Sequence, residues 1–296
     1  MGKIRPLLFL LAMVGGFVVA GPTLSDRGSS ARAPLAQATT ERATPSQAQA
    51  SSKIWIGRHA EFEQALRTAP IDRIEDIGTG VTRPRRAFFA AGSLAQSGIV
   101  KAVNEGPMAP YLDSYRAEIA AYELDRILGL DMVPPTVERR IDNELRSVQL
   151  WVENTRSLKN VEGKPVPDQD AWNRQIYRMR VFDNLIVNTD RNPRNVLIDP
   201  AWNIILIDHS RSFDGRISRM RYDMTKIDRE FLERVRRLDK KTLNERIGRY
   251  LQFGVGPLLQ QRDRIVSHFE RLVREQGEGK VFVGERLAFR PEPEQD

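Results

Sequence analysis

The sequence predicts a two-lobed α+β fold, with a β-rich N-terminal lobe and a mostly helical C-terminal lobe, on three observations. Strand-like runs rich in β-branched and aromatic residues crowd residues 71–152 around a single helical pattern. Residues 171–187 and 225–277 instead carry apolar residues at helical spacing. Between these helical stretches lies one short hairpin, in which NVLID and IILID flank the turn-forming PAWN.

The 296 residues, 41% hydrophobic and 29% charged, suffice for one large core or two lobes. Residues 1–20 differ: Lys3 and Arg5 precede an apolar run that ends in Val18-Val19-Ala20 before Gly21. That pattern reads as a signal peptide or a membrane anchor, so the expected location is exported, periplasmic or extracellular, or tethered to the membrane. Residues 21–52 are rich in Ala, Ser, Thr, Gln and Pro and read as a disordered tether. The lack of cysteine excludes disulfides, thiolate nucleophiles and a lipidated Cys anchor. A net charge of +7 and a pI near 9.8 suit acidic surroundings, such as an anionic membrane surface or acidic polypeptides. Zinc-finger spacings and RNA-binding aromatic motifs are missing, so no specific nucleic acid is expected.

The N-terminal lobe is expected over 53–153. It opens on Ile54-Trp55-Ile56 and a short helix near 60–67. The segment DIGTGVTRPRRAFF reads as strand, glycine turn and returning strand. Gly78 and Gly80 would let backbone N–H groups approach phosphate oxygens, with Thr79 or Thr82 adding hydroxyl donors. Lys101 falls inside the apolar run GIVKAVN, where a buried ammonium needs a partner. The helix SYRAEIAAYELDRIL over 114–128 offers Glu118 and Glu123 as candidates and stops at Gly129. The strands VPPTVERRI and RSVQLWVEN then lead to the border between lobes.

The C-terminal lobe is expected over 154–296. A loop over 159–170 precedes a helix over 171–187, whose apolar Ile176, Met179, Phe182, Leu185 and Ile186 are core positions. The hairpin follows. Asn195 opens its first strand and Asp208 closes its second, so in an antiparallel pair the two ends lie side by side and can share one ion through hard oxygen ligands. Asp190 lies in the loop just before them. This is the order a phosphoryl-transfer hairpin needs, with Asp190 orienting an attacking hydroxyl and Asn195 and Asp208 holding Mg²⁺ against nucleotide phosphates. The basic helices that follow suit solvent or an acidic-substrate platform.

The Asp190, Asn195, Asp208 spacing resembles the catalytic core of the protein-kinase-like superfamily. Asp190-Arg191, with Asn188 where a His is commoner, resembles the phosphatidylinositol 3-/4-kinase and atypical branches, and FDNLIVNTDRNPRN also resembles persistence-toxin-type kinases. The resemblance implies ATP and Mg²⁺ as cofactors and a protein or lipid hydroxyl as acceptor. It further implies that Lys101 binds the α and β phosphates and pairs with a glutamate, for which EIAAYELDRILGL points to Glu118. SVQLWVE resembles the hinge of the type II phosphatidylinositol kinases, which implies adenine contacts from the backbone near Gln149 and Val152. HSRSFDG lacks the Phe-Gly that usually follows the second Asp. Exported kinases of the four-jointed kind are disulfide-rich, and this chain has no cysteine.

Other chemistries fit less well. His59, His209 and His268 make no metal-ligand spacing. Neither a Gly-x-Ser-x-Gly elbow nor a Gly-x-x-x-x-Gly-Lys-Ser/Thr loop is present. The expectation is an atypical kinase-like phosphotransferase; the alternative is a catalytically inactive pseudokinase or nucleotide-binding interaction module in the cell envelope.

Overall fold

Trp55 is fully buried in the core of the first lobe, while its neighbours Ile54 and Ile56 face outward. The computed structural model describes residues 50–78, 84–102 and 114–284. The segment 1–20, nearly all of 21–52, and Thr79, Gly80 and Thr82 lie outside the described residues. Ser51 and Ser52, which the sequence leaves in the tether, are fastened: Asp199 Oδ2 accepts from Ser51 Oγ and from Ser52 N–H, each at 2.9 Å.

Helix α1 (His59–Thr68) buries Phe62 and Leu66, four positions apart and therefore on one face. Strands β1 (Ile71–Asp76), β2 (Arg85–Phe89) and β3 (Ser97–Lys101) follow as an antiparallel meander. Helix α2 (Tyr115–Leu128) starts where Ser114 Oγ accepts the Arg116 N–H, and ends at Gly129 in the left-handed conformation with φ 58°. Strands β4 (Thr136–Ile141) and β5 (Glu144–Leu150) complete a five-stranded sheet ordered β1-β2-β3-β5-β4. Alternation along these strands turns Ala87, Val100, Val137 and Val148 toward one apolar cluster with Phe62 and Leu66.

The second lobe begins with β6 (Arg156–Ser157) and α3 (Leu158–Val161), short elements inside or beside the stretch expected as loop. Helix α4 (Gln169–Leu185) is capped by Asp168, whose carboxylate accepts the Ala171 N–H at 2.9 Å. The hairpin is β7 (Val196–Ile198) and β8 (Ile204–Leu206), and β6 joins it in a three-stranded sheet. Helices α5 (Arg229–Arg236), α6 (Lys240–Arg246), α7 (Gly256–Gln276) and α8 (Glu278–Val281) complete the lobe. Phe182, Phe231, Val235, Leu243, Ile265 and Phe269 fill its core.

The lobes are keyed into one another. Ala120, Ala121, Leu124 and Leu128 of α2 belong to the core of the helical lobe, whereas Ile205 of β8 packs into that of the β-rich lobe. This exchange of apolar residues fixes α2 and the hairpin relative to β3, so three polar residues on three elements meet reproducibly. The fold is the expected α+β architecture, with an antiparallel-sheet lobe followed by a helical lobe.

Candidate active site

Lys101, the last residue of β3, is buried, and its Nζ donates to Glu118 Oε1 at 2.6 Å and to Asp208 Oδ1 at 2.7 Å. Glu118, on α2, is buried too and accepts the His209 N–H through both carboxylate oxygens at 3.0 Å. Burial alone would lower the Lys101 pKa, but the carboxylates of Glu118 and Asp208 outweigh it and raise the value. Burial likewise opposes ionisation of Glu118, and Lys101 with the His209 N–H overturns it, holding the carboxyl well below its usual range. Both groups stay charged because each is satisfied. Glu123, the other candidate, instead accepts from Arg246 Nε of α6 at 3.0 Å.

The catalytic-loop candidates are ordered by a second buried ion pair. Arg191 Nε donates to Asp183 Oδ2 at 2.9 Å, and Arg191 Nη1 reaches Asn195 O and Ile207 O, each at 2.7 Å. One guanidinium therefore ties the end of α4 to the open ends of both hairpin strands. Asn188, where a His is commoner, is fully buried; its Nδ2 donates to Asp183 Oδ1 at 3.1 Å and its Oδ1 accepts the Asp190 N–H at 2.9 Å. Val187 and Asp208 both take left-handed φ values, 52° and 60°. For a β-branched valine that is strained, and such strain persists only where the surroundings over-determine the backbone.

Asn195 Nδ2 donates to Asp190 O at 3.2 Å, which assigns its carboxamide nitrogen to the loop and leaves the oxygen for another partner. Ser210 Oγ and Lys101 Nζ both engage Oδ1 of Asp208. An amide oxygen and a carboxylate oxygen are a hard donor pair that suits Mg²⁺. Among the described residues no three His, Cys, Asp or Glu residues cluster as a metal cage. A metal here would take two protein oxygens and complete its shell with phosphate and water, which is the habit of Mg²⁺ rather than of zinc.

These residues line one cavity of about 490 Å³. Lys101, Asn195 and Asp208 lie along it with Asp190, Arg194 and Arg211, while Ile77, Pro84, Ile99 and Leu197 make apolar walls. Ile77 N–H bonds Pro84 O at 3.4 Å, both residues lining the cavity, and Gly78 has φ 71°. Leu150, Trp151 and Val152 line the border between lobes. Gln149 lines the cavity as well, and it sits inside β5 opposite both Ile99 and Thr136, so its backbone is engaged in the sheet. Its side chain donates to Thr136 Oγ1 at 2.9 Å. Val152, beyond the strand end, has an N–H without a partner among the described residues.

Besides Arg194 and Ser210, two further residues that the sequence does not assign to the site stand in or beside it. Arg211 Nη1 lies 3.6 Å from Asp190 Oδ2, and Arg191 organises the loop as above. Asp183 gave a usable signal, since a carboxylate inside the apolar stretch VFDNLIV requires a partner. His209, beside Asp208, is fully buried and packs edge-on to Phe182 with centroids 6.1 Å apart. Burial lowers its pKa against the pull of the Glu118 carboxylate, 3.5 Å from Nδ1, and the ring is part of the core.

No protein-family model matches the sequence, and no curated protein matches it at a significant level. Solved structures do share its fold. The Golgi casein kinase with Mn and ADP bound has a TM-score of 0.58 at 14% identity, covering 76% of this chain and 78% of that one. A second structure of the Golgi casein kinase gives 0.57 at 15% identity, covering 76% and 79%. Hydra Fam20 with sugar gives 0.55 at 16% identity, covering 76% and 91%. At such low identity the likeness is one of fold alone: this chain shares the fold of these kinases.

Proposed function

We propose that this domain is an atypical kinase-like phosphotransferase that moves the γ-phosphoryl group of ATP to a hydroxyl of a protein or lipid. The observation that carries the reading is the network Lys101–Glu118–Asp208, built from three elements of two lobes on the wall of the cavity that holds Asp190 and Asn195. A purely structural role explains a paired lysine, but it does not explain why a hard donor pair and an accessible carboxylate converge beside it.

In this proposal adenine enters between the two lobes against Ile99, Leu197 and the backbone near Val152, and the phosphates run past Ile77 and Pro84 toward Lys101. The Lys101 ammonium, kept charged by Glu118, neutralises phosphate oxygens at no cost in reorganisation. Asn195 and Asp208 would hold Mg²⁺, which supplies charge neutralisation on the phosphates. Asp190, with its side chain 40% exposed, accepts the hydrogen bond of the acceptor hydroxyl and orients it. The structural neighbour that binds Mn and ADP supports nucleotide and divalent-metal use. An export signal or anchor over 1–20 belongs to the same proposal and requires nucleotide in the receiving compartment.

The test is thermal stabilisation by ATP with and without Mg²⁺, because a ligand that binds only the native state raises its apparent stability. Magnesium-dependent stabilisation that disappears in Asp208→Asn supports the reading; no shift at millimolar ATP removes it. A second reading, nucleotide binding without turnover, is favoured by one contact, the approach of Arg211 to Asp190. Stabilisation without phosphate transfer would select it.

A further inference from the structure

The segment after Asp208 carries four arginines in HSRSFDGRISRMRYDM, namely Arg211, Arg216, Arg219 and Arg221. It leaves the catalytic loop and returns to it. Thr189 N–H bonds Arg211 O at 3.2 Å, and Arg221 Nη2 donates to Thr189 O at 3.3 Å, so both ends of the loop sit beside Asp190. Between these ends, Ser218, Arg219 and Met220 form one wall of a separate hollow of about 480 Å³. Its other wall is α7, through Arg264, Ser267, His268 and Arg271. Arg264 Nη1 donates to Ser218 O at 2.9 Å and fastens the two walls together.

The positive charge here is only partly cancelled: Arg271 Nε lies 3.9 Å from Glu275 Oε1, and Asp263 also lines the hollow. Asp214 is taken by Arg216 through two hydrogen bonds of 2.8 Å, and Asp263 by Arg262 at 2.7 Å. Arg219 and Arg194, both exposed, have no carboxylate partner among the described residues. Arg194 stands on the rim of the cavity that holds Asp190. Exposed arginines left unpaired beside a concave surface attract an anion and steer it in.

We propose that this face docks the phosphate acceptor and that the acceptor is an extended acidic polypeptide, its carboxylates in the hollow between residues 218–220 and α7 while its hydroxyl reaches Asp190. The inference rests on the phosphotransferase reading for the hydroxyl, and on the surface itself for the acid. Two concavities joined by one arginine-bearing segment suit a chain with anionic groups spaced along it; a lipid head group fills only one. Nor, among the described residues, does the face offer a free apolar wedge for a bilayer. Phe253, exposed beside the segment, lies against Gly215 with the Arg216 guanidinium 6.0 Å from its ring centre.

The experiment uses the full chain, a fluorescent peptide with a serine flanked by glutamates, and the same peptide with glutamines. Anisotropy is followed at low and high salt for the wild type and for Arg219→Glu combined with Arg271→Glu. The acidic peptide is expected to bind more tightly, with salt sensitivity, and the double reversal to weaken it by about three- to tenfold. Magnesium-ATP stabilisation of the variant should not change, which excludes misfolding. Binding does not require turnover, so failure of the phosphotransferase reading and failure of this surface give different results. Equal affinity for both peptides, indifference to the reversals, or reversal-sensitive binding seen only with phosphatidylserine vesicles would overturn the proposal.

Discussion

Lys101 Nζ and Asp208 Oδ1 are 2.7 Å apart, a contact that joins the last residue of a sheet strand in one lobe to the end of the hairpin in the other. Glu118 shares the same ammonium from α2 at 2.6 Å. Lys101→Met should reduce phosphate transfer by about 100- to 1000-fold, the usual cost of removing one preorganised charge stabiliser. It should also destabilise the fold by about 3–5 kcal/mol, because Glu118 is left ionised and buried without its cation. Lys101→Met with Glu118→Gln should recover much of that stability and none of the transfer. Urea unfolding beside a turnover assay separates the two effects; loss of stability with full turnover would show that the network is only structural.

Arg191 holds the main chain at Asn195 and Ile207 while it pairs with Asp183. Arg191→Lys keeps the charge and loses the planar fork, so it cannot make all three connections. The expected outcome is a fall in kcat of about 10- to 100-fold with a much smaller change in the KM for ATP, since the nucleotide walls stay intact while Asp190 and Asn195 are misplaced. A large KM change with unchanged kcat would assign Arg191 to binding instead.

Much of this machinery is legible in the sequence because it follows local periodicity. The hairpin announces itself through two β-branched runs and a turn, and α2 through its spacing and Gly129. What was not legible depends on partners distant in sequence. Glu118 and Glu123 are five residues apart and point to different helix faces; only the arrival of Arg246 from α6 shows that Glu123 is occupied elsewhere. Gln149 looked like part of the border between lobes, yet β5 keeps pairing through Leu150, so the backbone opens one residue group later. The approach of Arg211 to Asp190 has no local signature, because its course after Asp208 is set by tertiary hydrogen bonds at Thr189, Asn184 and Ile186. The pair β6–β7 adds a strand of two residues, too short to carry a pattern.

Asp125 on α2 is fully buried; its Oδ2 accepts the Met132 and Val133 N–H groups at 2.9 and 3.0 Å, while Oδ1 has no partner among the described residues. Burial pushes its pKa up to about 7, against those two hydrogen bonds and the charge of Lys53. A raised folded pKa means that the contribution to stability is fully present below the ordinary aspartate value near pH 4, and is lost as pH rises to about 7. The loss is at most about 4 kcal/mol. Asp125→Asn keeps an acceptor for both N–H groups and does not titrate, so it should flatten the decline in unfolding free energy between pH 4 and pH 7. An unchanged pH slope in that variant would place the titration elsewhere.

The assignment of Asp190 as the group that orients the acceptor is tested most directly by transfer of labelled γ-phosphate from ATP in the presence of Mg²⁺, comparing the wild type with Asp190→Asn. The substitution is nearly isosteric, and Asp190 holds its loop through its main chain, with the N–H on Asn188 and the carbonyl on Asn195. Nucleotide-dependent stabilisation should therefore persist while transfer falls by about 100- to 10,000-fold, the range for a positioned acid–base group. Equal transfer rates in wild type and variant, with stabilisation intact in both, would contradict it.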